Sequence, residues 1–238
     1  MEFKLLGMRI FNGLDKHIKA TRKWVLPTEA KLMKLRHKAE SAGIHQIEYE
    51  KLTIELEGLH DSFWLEHGST GVRVGRVGID SRTNYRVLWL IDGRTVEVVY
   101  DRKTDNAVLF FNGEFTGLLM AQKHEKFLKV LSVCVSWKIL INDTEIFRIH
   151  FNDKTMREMS LIHHRAPDVI ARVGQPSQAG LADYLRSISH RLINSTPPTN
   201  DRWFLPRSEG ELPCRNDSEV LALMAFALVF RQAYWSVD

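Results

Sequence analysis

The chain is 238 residues long, 44% hydrophobic and 26% charged, with a formal charge of +4. Such a length and balance imply one domain, or a domain with an appendage, able to bury its own core, and they exclude wholesale disorder. Two cysteines, Cys134 and Cys214, exclude a disulfide framework and lack metal-ligand spacing.

The opening residues MEFKLLGMRIFNG carry Glu2, Lys4 and Arg9, with neither the apolar stretch nor the cleavage pattern of a secretory leader. A reducing cytoplasmic or nuclear setting is expected. Residues 1–60 read as a helical, charge-polarised segment ahead of a β-rich body with C-terminal helices over 61–238. Within it, LPTEAKLMKLRHKAESAG predicts a helix capped by Thr28 and stopped by Gly43, with Leu32, Leu35, Ala39 and Ala42 on one side.

Charge is concentrated here. Lys16, Lys19, Arg22, Lys23, Lys31, Lys34, Arg36 and Lys38 are opposed over residues 15–38 only by Asp15 and Glu29. Lys31, Lys34 and Lys38 recur at the i, i+3, i+7 spacing that puts them on one helical flank. Clustered cations of this kind suit phosphate, and Trp24, between the two halves, has the ring to stack on a base or anchor at a membrane interface. The competing reading is internal neutralisation, because Glu40, Glu48, Glu50, Glu55, Glu57, Asp61 and Glu66 follow directly. The next stretch, QIEYEKLTIELEGL, fits two short strands with a slip between them nearly as well as it fits a helix.

From about 63 to 152 the pattern is β. Asp92-Gly93, Asn112-Gly113 and Asn142-Asp143 each separate runs rich in Val, Ile, Leu and aromatics, and such dipeptides provide the positive φ of tight hairpins. Three hairpins of an antiparallel meander are expected, entered through GVRVGRVGID. Gly68, Gly71, Gly75 and Gly78 match no phosphate loop or dinucleotide fingerprint and read as an edge strand. Asp80, Asp92 and Asp101 fall at turns, where Asp serves the backbone. His60, Asp61, Glu66 and His67 have metal-binding residue types without a zinc spacing. Cys134, in LSVCVSW, is expected to be a buried thiol.

IHHRAPD, residues 162–168, reads as a turn that ends the sheet, fixed by Pro167, after which residues 166–238 return to helix. His163 and His164 are adjacent and point apart on a helix or a strand, so they do not share a metal. With Asp168 they are the catalytic candidates if the protein is an enzyme. LADYLRSISHRLINSTPP predicts an amphipathic helix with Leu181, Tyr184, Leu185, Ile188 and Leu192 on one face. In the following DRWFLPR, Trp203 and Phe204 are candidate anchors for a protein partner, or tuck into the core.

The chain closes on NDSEVLALMAFALVFRQAYW. Asn216 and Glu219 have capping-box spacing, and eleven apolar residues follow from Val220 to Phe230. A bilayer span needs about 20. The run therefore reads as a core helix, with partner docking and membrane insertion as alternatives. A meander finished by such a helix resembles the tubby and scramblase-like family, in which that helix threads a barrel. The EHGSTGVRVGRVGID segment with its hairpins resembles the Fas apoptosis inhibitory family of β-sandwiches. Each resemblance covers less than half of the chain, the first leaves residues 181–215 without a counterpart, and no site residue is carried over.

No GxSxG elbow, HExxH, deaminase or kinase pattern occurs. The expectation is one α+β domain: an antiparallel β-meander or barrel-like body, an N-terminal helical segment and a buried apolar C-terminal helix. Its function is expected to be binding or assembly without catalysis. The basic stripe engages nucleic acid or another polyanion, or else Trp203 and Phe204 dock a protein. No metal or cofactor is expected, and no transmembrane segment.

Overall fold

A computed structural model describes residues 18–23, 25–56, 62–80, 82–101, 103–127, 131–151, 158–164, 166–174 and 217–235. Eleven antiparallel strands pair in chain order, so every neighbour in the sheet is a neighbour in sequence. They are β1 (Leu52–Leu56), β2 (Ser62–His67), β3 (Val72–Asp80), β4 (Tyr85–Leu90), β5 (Thr95–Asp101) and β6 (Asn106–Phe111). The second half comprises β7 (Glu114–Phe127), β8 (Leu131–Ile141), β9 (Thr144–Phe151), β10 (Glu158–His163) and β11 (Ala166–Gly174). Two helices flank the meander, α1 (Glu29–Ser41) and α2 (Asp217–Trp235). A further stretch of helical backbone covers residues 18–23.

The turns make this topology local. Asn112 and Gly113 have φ of 51° and 82°, and Asn142 and Asp143 have 48° and 63°, the doubly left-handed geometry that matches strand twist. At Asp92-Gly93 only Gly93 is left-handed, with φ 95°, while the Asp92 carboxylate accepts from the Arg94 N–H at 3.0 Å. Two further turns share a pattern. In DSRTN, Asp80 accepts from the Arg82 N–H (3.0 Å) and the Thr83 hydroxyl (2.9 Å), and Asn84 closes at φ 53°. In DRKTD, Asp101 accepts from the Lys103 N–H (3.0 Å) and the Thr104 hydroxyl (2.8 Å), and Asp105 closes at φ 55°. The expectation that Asp80, Asp92 and Asp101 serve the backbone therefore holds.

One ambiguity of the sequence reading is resolved and one expectation is corrected. The ambiguous stretch before residue 57 is a 3-10 turn at Tyr49–Lys51 running into β1. The sheet does not end at residues 162–168: β10 runs to His163 and β11 begins at Ala166, so the return to helix does not begin at 166. Proline lacks a donor, which an edge strand tolerates near its start, and β11 is the edge. The helix expected over 181–198 lies outside the described residues, as do Cys214, Asn216 and the Cys134 side chain.

All six residues of β4 are buried, so both faces of the sheet are covered there. One face carries Tyr85, Val87 and Trp89, since alternate residues share a side. The N-terminal segment lies on it: the Trp89 indole donates to the Val25 carbonyl at 2.7 Å. Gly78 permits this approach, because a Cβ there would stand 2.0 Å from Val25 Cγ2. The other face meets α2, which packs against β5, β6 and β8. Phe226 stacks edge-on against Trp137, their centroids 6.0 Å apart. Leu221–Val229 are buried without interruption. Nine residues exceed two helical turns, so α2 is covered on every side, and register shifts that leave extra residues in β3, β7, β8, β9 and β11 supply the bends that let a sheet curve around it.

Candidate anion-binding surface

α1 owes its definition to its ends. The Thr28 hydroxyl accepts from the Lys31 N–H at 3.4 Å, and Glu29 lies at the positive end of the helix dipole. At the other end Gly43 takes φ 78°, its N–H donates to Glu40 O and the Ile44 N–H to Ala39 O, both at 2.9 Å. This is a Schellman closure, completed by apolar contact between the buried Ile44 and Ala39. Leu32 and Leu35 are half-buried beside Ala39, with α1 lying against β3, whereas Ala42 caps the helix and is exposed.

The cations divide by type. Arg22 turns to the sheet and grips Glu97 of β5 with two parallel bonds, Nε to Oε2 at 2.8 Å and Nη2 to Oε1 at 2.7 Å. The Tyr85 hydroxyl donates to the same carboxylate. Burial alone would lower the Arg22 pKa, but the bond to Glu97 and its charge outweigh burial and raise it. Burial and then the Glu97 charge push the Tyr85 phenol far above its ordinary value. Arg36 Nε donates to the Ile91 carbonyl, fixing the middle of α1 to the β4–β5 turn. Lys31, Lys34 and Lys38 lie on an exposed flank of the same helix, and Lys19 and Lys23 are exposed on the preceding helical residues. Lys16 and Trp24 lie outside the described residues.

The lysine flank borders the sheet at Trp64. Lys31 Nζ stands 4.9 Å from the centre of its ring, and the guanidinium carbons of Arg73 and Arg76 stand at 4.8 and 5.2 Å. Arg76 is the register partner of Trp64, which puts both on one face. Trp64 is buried to 4% exposure, braced edge-on by Trp89 at 5.9 Å, so its ring serves the cations and does not offer a stacking platform. The sequence reading missed these two arginines because only strand pairing brings them to α1.

Two of the described ion pairs show where these charges go. Arg22 finds Glu97, 75 residues away, while Glu48 bonds to its neighbour Lys51, which holds that carboxyl below its usual range.

The histidines fall apart as expected. His164 is exposed, whereas His163 is buried, with its Nε2 3.1 Å from the Glu219 carboxylate of α2 and its ring edge-on to Phe147. Glu219, read as half of a capping box, thus reaches into the core. His67 is buried beside the Ser69 hydroxyl at 2.9 Å. His60, Asp61, Trp203 and Phe204, and the side chain of Asp168, lie outside the described residues. A cluster the sequence did not suggest joins Asp105 to the Tyr100 hydroxyl and to His124 Nε2, at 3.0 Å from the latter. A cavity between the β6–β7 and β8–β9 hairpins has one ionisable side chain in its lining, Asp143.

Among the described residues no three metal-ligating side chains converge, and no helix is long and apolar enough to cross a membrane. No protein-family model matches the chain, and comparison with curated proteins and with solved structures gives no match.

Proposed function

We propose that this is a non-enzymatic binding or assembly protein that engages an anionic partner, nucleic acid in first place, through the exposed lysines of its N-terminal segment. The observation that carries this reading is the division of the cations: Arg22 and Arg36 bind the sheet, while Lys31, Lys34 and Lys38 line an exposed flank of the helix so held. A row of ammonium groups on a helix held to the sheet neutralises phosphates and releases their counterions. Arginine is the residue that reads guanine edges with two bonds, whereas lysine acts as a point charge. Contacts from this flank therefore position the partner and carry little sequence preference.

Changing Lys31, Lys34 and Lys38 together to Glu tests the reading. The three side chains are exposed, so the melting temperature stays nearly unchanged while binding is abolished. Loss of fold equal to loss of binding would overturn it.

A further inference from the structure

The charges of α1 are split between two flanks. Each residue of an α-helix advances about 100°, so Lys31, Lys34 and Lys38 fall within about 60° of one another. Glu29 and Glu40 fall within about 20° of each other and at least about 120° from any of these lysines. All of these side chains are exposed. Side chains three or four positions apart are neighbours on a helix, and neither acid of α1 stands at that spacing from a lysine. Among the described residues Lys34, Lys38, Glu29 and Glu40 make no ion pair.

Two contacts orient the flanks on the sheet. Lys31 Nζ, 4.9 Å from the centre of the Trp64 ring, sets the lysine flank beside β2. Arg36, four residues before Glu40, donates to the Ile91 carbonyl and turns the acidic flank towards the β4–β5 turn. An α-helix with its side chains is about 10–12 Å across, and the major groove of B-DNA is about 12 Å wide. A helix inside that groove therefore shows one flank to each strand. In that position α1 would set Glu29 and Glu40 against the phosphates of the second strand, where like charges repel. Along the outside of one strand only the lysines meet phosphate, and the acids stand about one Debye length behind them.

From this division we infer that α1 lies along one strand of a nucleic-acid duplex, outside its grooves, with Lys31, Lys34 and Lys38 on successive phosphates of that strand. The inference rests on the proposed reading and adds the form of the partner and the way it is held. From Lys31 to Lys38 the helix rises about 10.5 Å, three steps of a strand that advances about 3.4 Å per nucleotide. A duplex is the form whose phosphates run in a fixed line over such a distance, since its persistence length is about 150 base pairs. Contact made outside the grooves meets the same backbone chemistry in DNA and in RNA helices.

The test is a fluorescence-anisotropy titration of labelled duplexes of about 16 base pairs, one of DNA and one of RNA in the same sequence, at several salt concentrations. The major groove of an RNA helix is too narrow to be read from within, so a helix that works inside the groove distinguishes the two. Contact along one strand predicts affinities of the wild type for DNA and RNA within about fivefold at matched salt. Lys31→Gln/Lys34→Gln/Lys38→Gln lowers the slope of log affinity against log salt by about 2.7, from about 0.9 per lost contact. Glu29→Gln/Glu40→Gln raises affinity by less than about threefold, because the acids stand a screening length from the strand. A preference for DNA beyond fivefold, or a larger gain from the acid pair, places α1 in the groove; either result overturns this inference and leaves the proposed function standing. Thermal melts check the variants, and if one melts early the comparison of DNA with RNA, made on the wild type, still decides. No duplex binding by the wild type at low salt, or an unchanged slope in the folded triple lysine variant, overturns both.

Discussion

Replacing Gly78 with Ala tests how the N-terminal segment is seated. The added methyl would stand 2.0 Å from Val25 Cγ2, 2.9 Å from Cγ1 and 3.0 Å from Cβ. Carbon atoms in contact keep about 3.5–4.0 Å, so Val25 has to retreat by well over an ångström. Its carbonyl then leaves the Trp89 indole, now 2.7 Å away, and the strain reaches Arg22 three residues earlier. Overpacking costs about 1–3 kcal/mol and a lost neutral hydrogen bond about 1 kcal/mol. The lower entropy of an unfolded chain with Ala in place of Gly offsets about 0.4–1 kcal/mol. A net loss of about 1–3 kcal/mol follows, lowering the melting temperature by roughly 2–4 °C for each kcal/mol at this chain length. Urea unfolding followed by tryptophan fluorescence measures it. Val25→Ala removes the clashing methyls, so Gly78→Ala/Val25→Ala must lose less than the two single changes combined, with a coupling of about 1–2 kcal/mol. Strict additivity, or a Gly78→Ala protein as stable as wild type, would refute this seating of Val25 against β3.

Phe226→Ala opens a cavity beside Trp137 and costs about 3–5 kcal/mol by denaturant unfolding. Glu219→Leu removes the carboxylate beside the buried His163 ring at a cost of about 1–3 kcal/mol, and His163→Leu/Glu219→Leu regains part of it, a pattern read from a double-mutant cycle. The Tyr85 phenol titrates above its unfolded value near pH 10, so its contribution is complete below about pH 10 and is lost as the pH rises beyond it. Stability measured from pH 9 to 11.5 therefore declines in the wild type, and more gently in Tyr85→Phe.

What was legible in the sequence was what depends on neighbours along the chain. The turns at Asn112-Gly113 and Asn142-Asp143 are local chemistry, as are the Thr28 cap and the Gly43 stop of α1. The turns closed by Asn84 and Asp105 were within reach too, through the shared pattern Asp-x-(Arg/Lys)-Thr-(Asn/Asp). β1 was ambiguous because a five-residue strand that follows a 3-10 turn carries too short a period to tell from helix. β11 was misplaced because Pro167 stops a central strand but not an edge. Lysine spacing alone gave the exposed flank. The sorting of Arg22 and Arg36 away from it depends on Glu97 and the Ile91 carbonyl, 75 and 55 residues distant, and no local pattern reports such partners. The same holds for Arg73 and Arg76, which reach Lys31 only through the register of β2 with β3.

The most direct test of the account is the affinity of the wild-type protein for nucleic acid, by fluorescence anisotropy, at about 50 and 200 mM salt. Six or more phosphate contacts predict binding that weakens roughly a thousandfold across that range. Binding with that slope establishes the lysine flank as an electrostatic interface. Absence of binding at 50 mM salt contradicts the account and assigns these lysines to a solvated face.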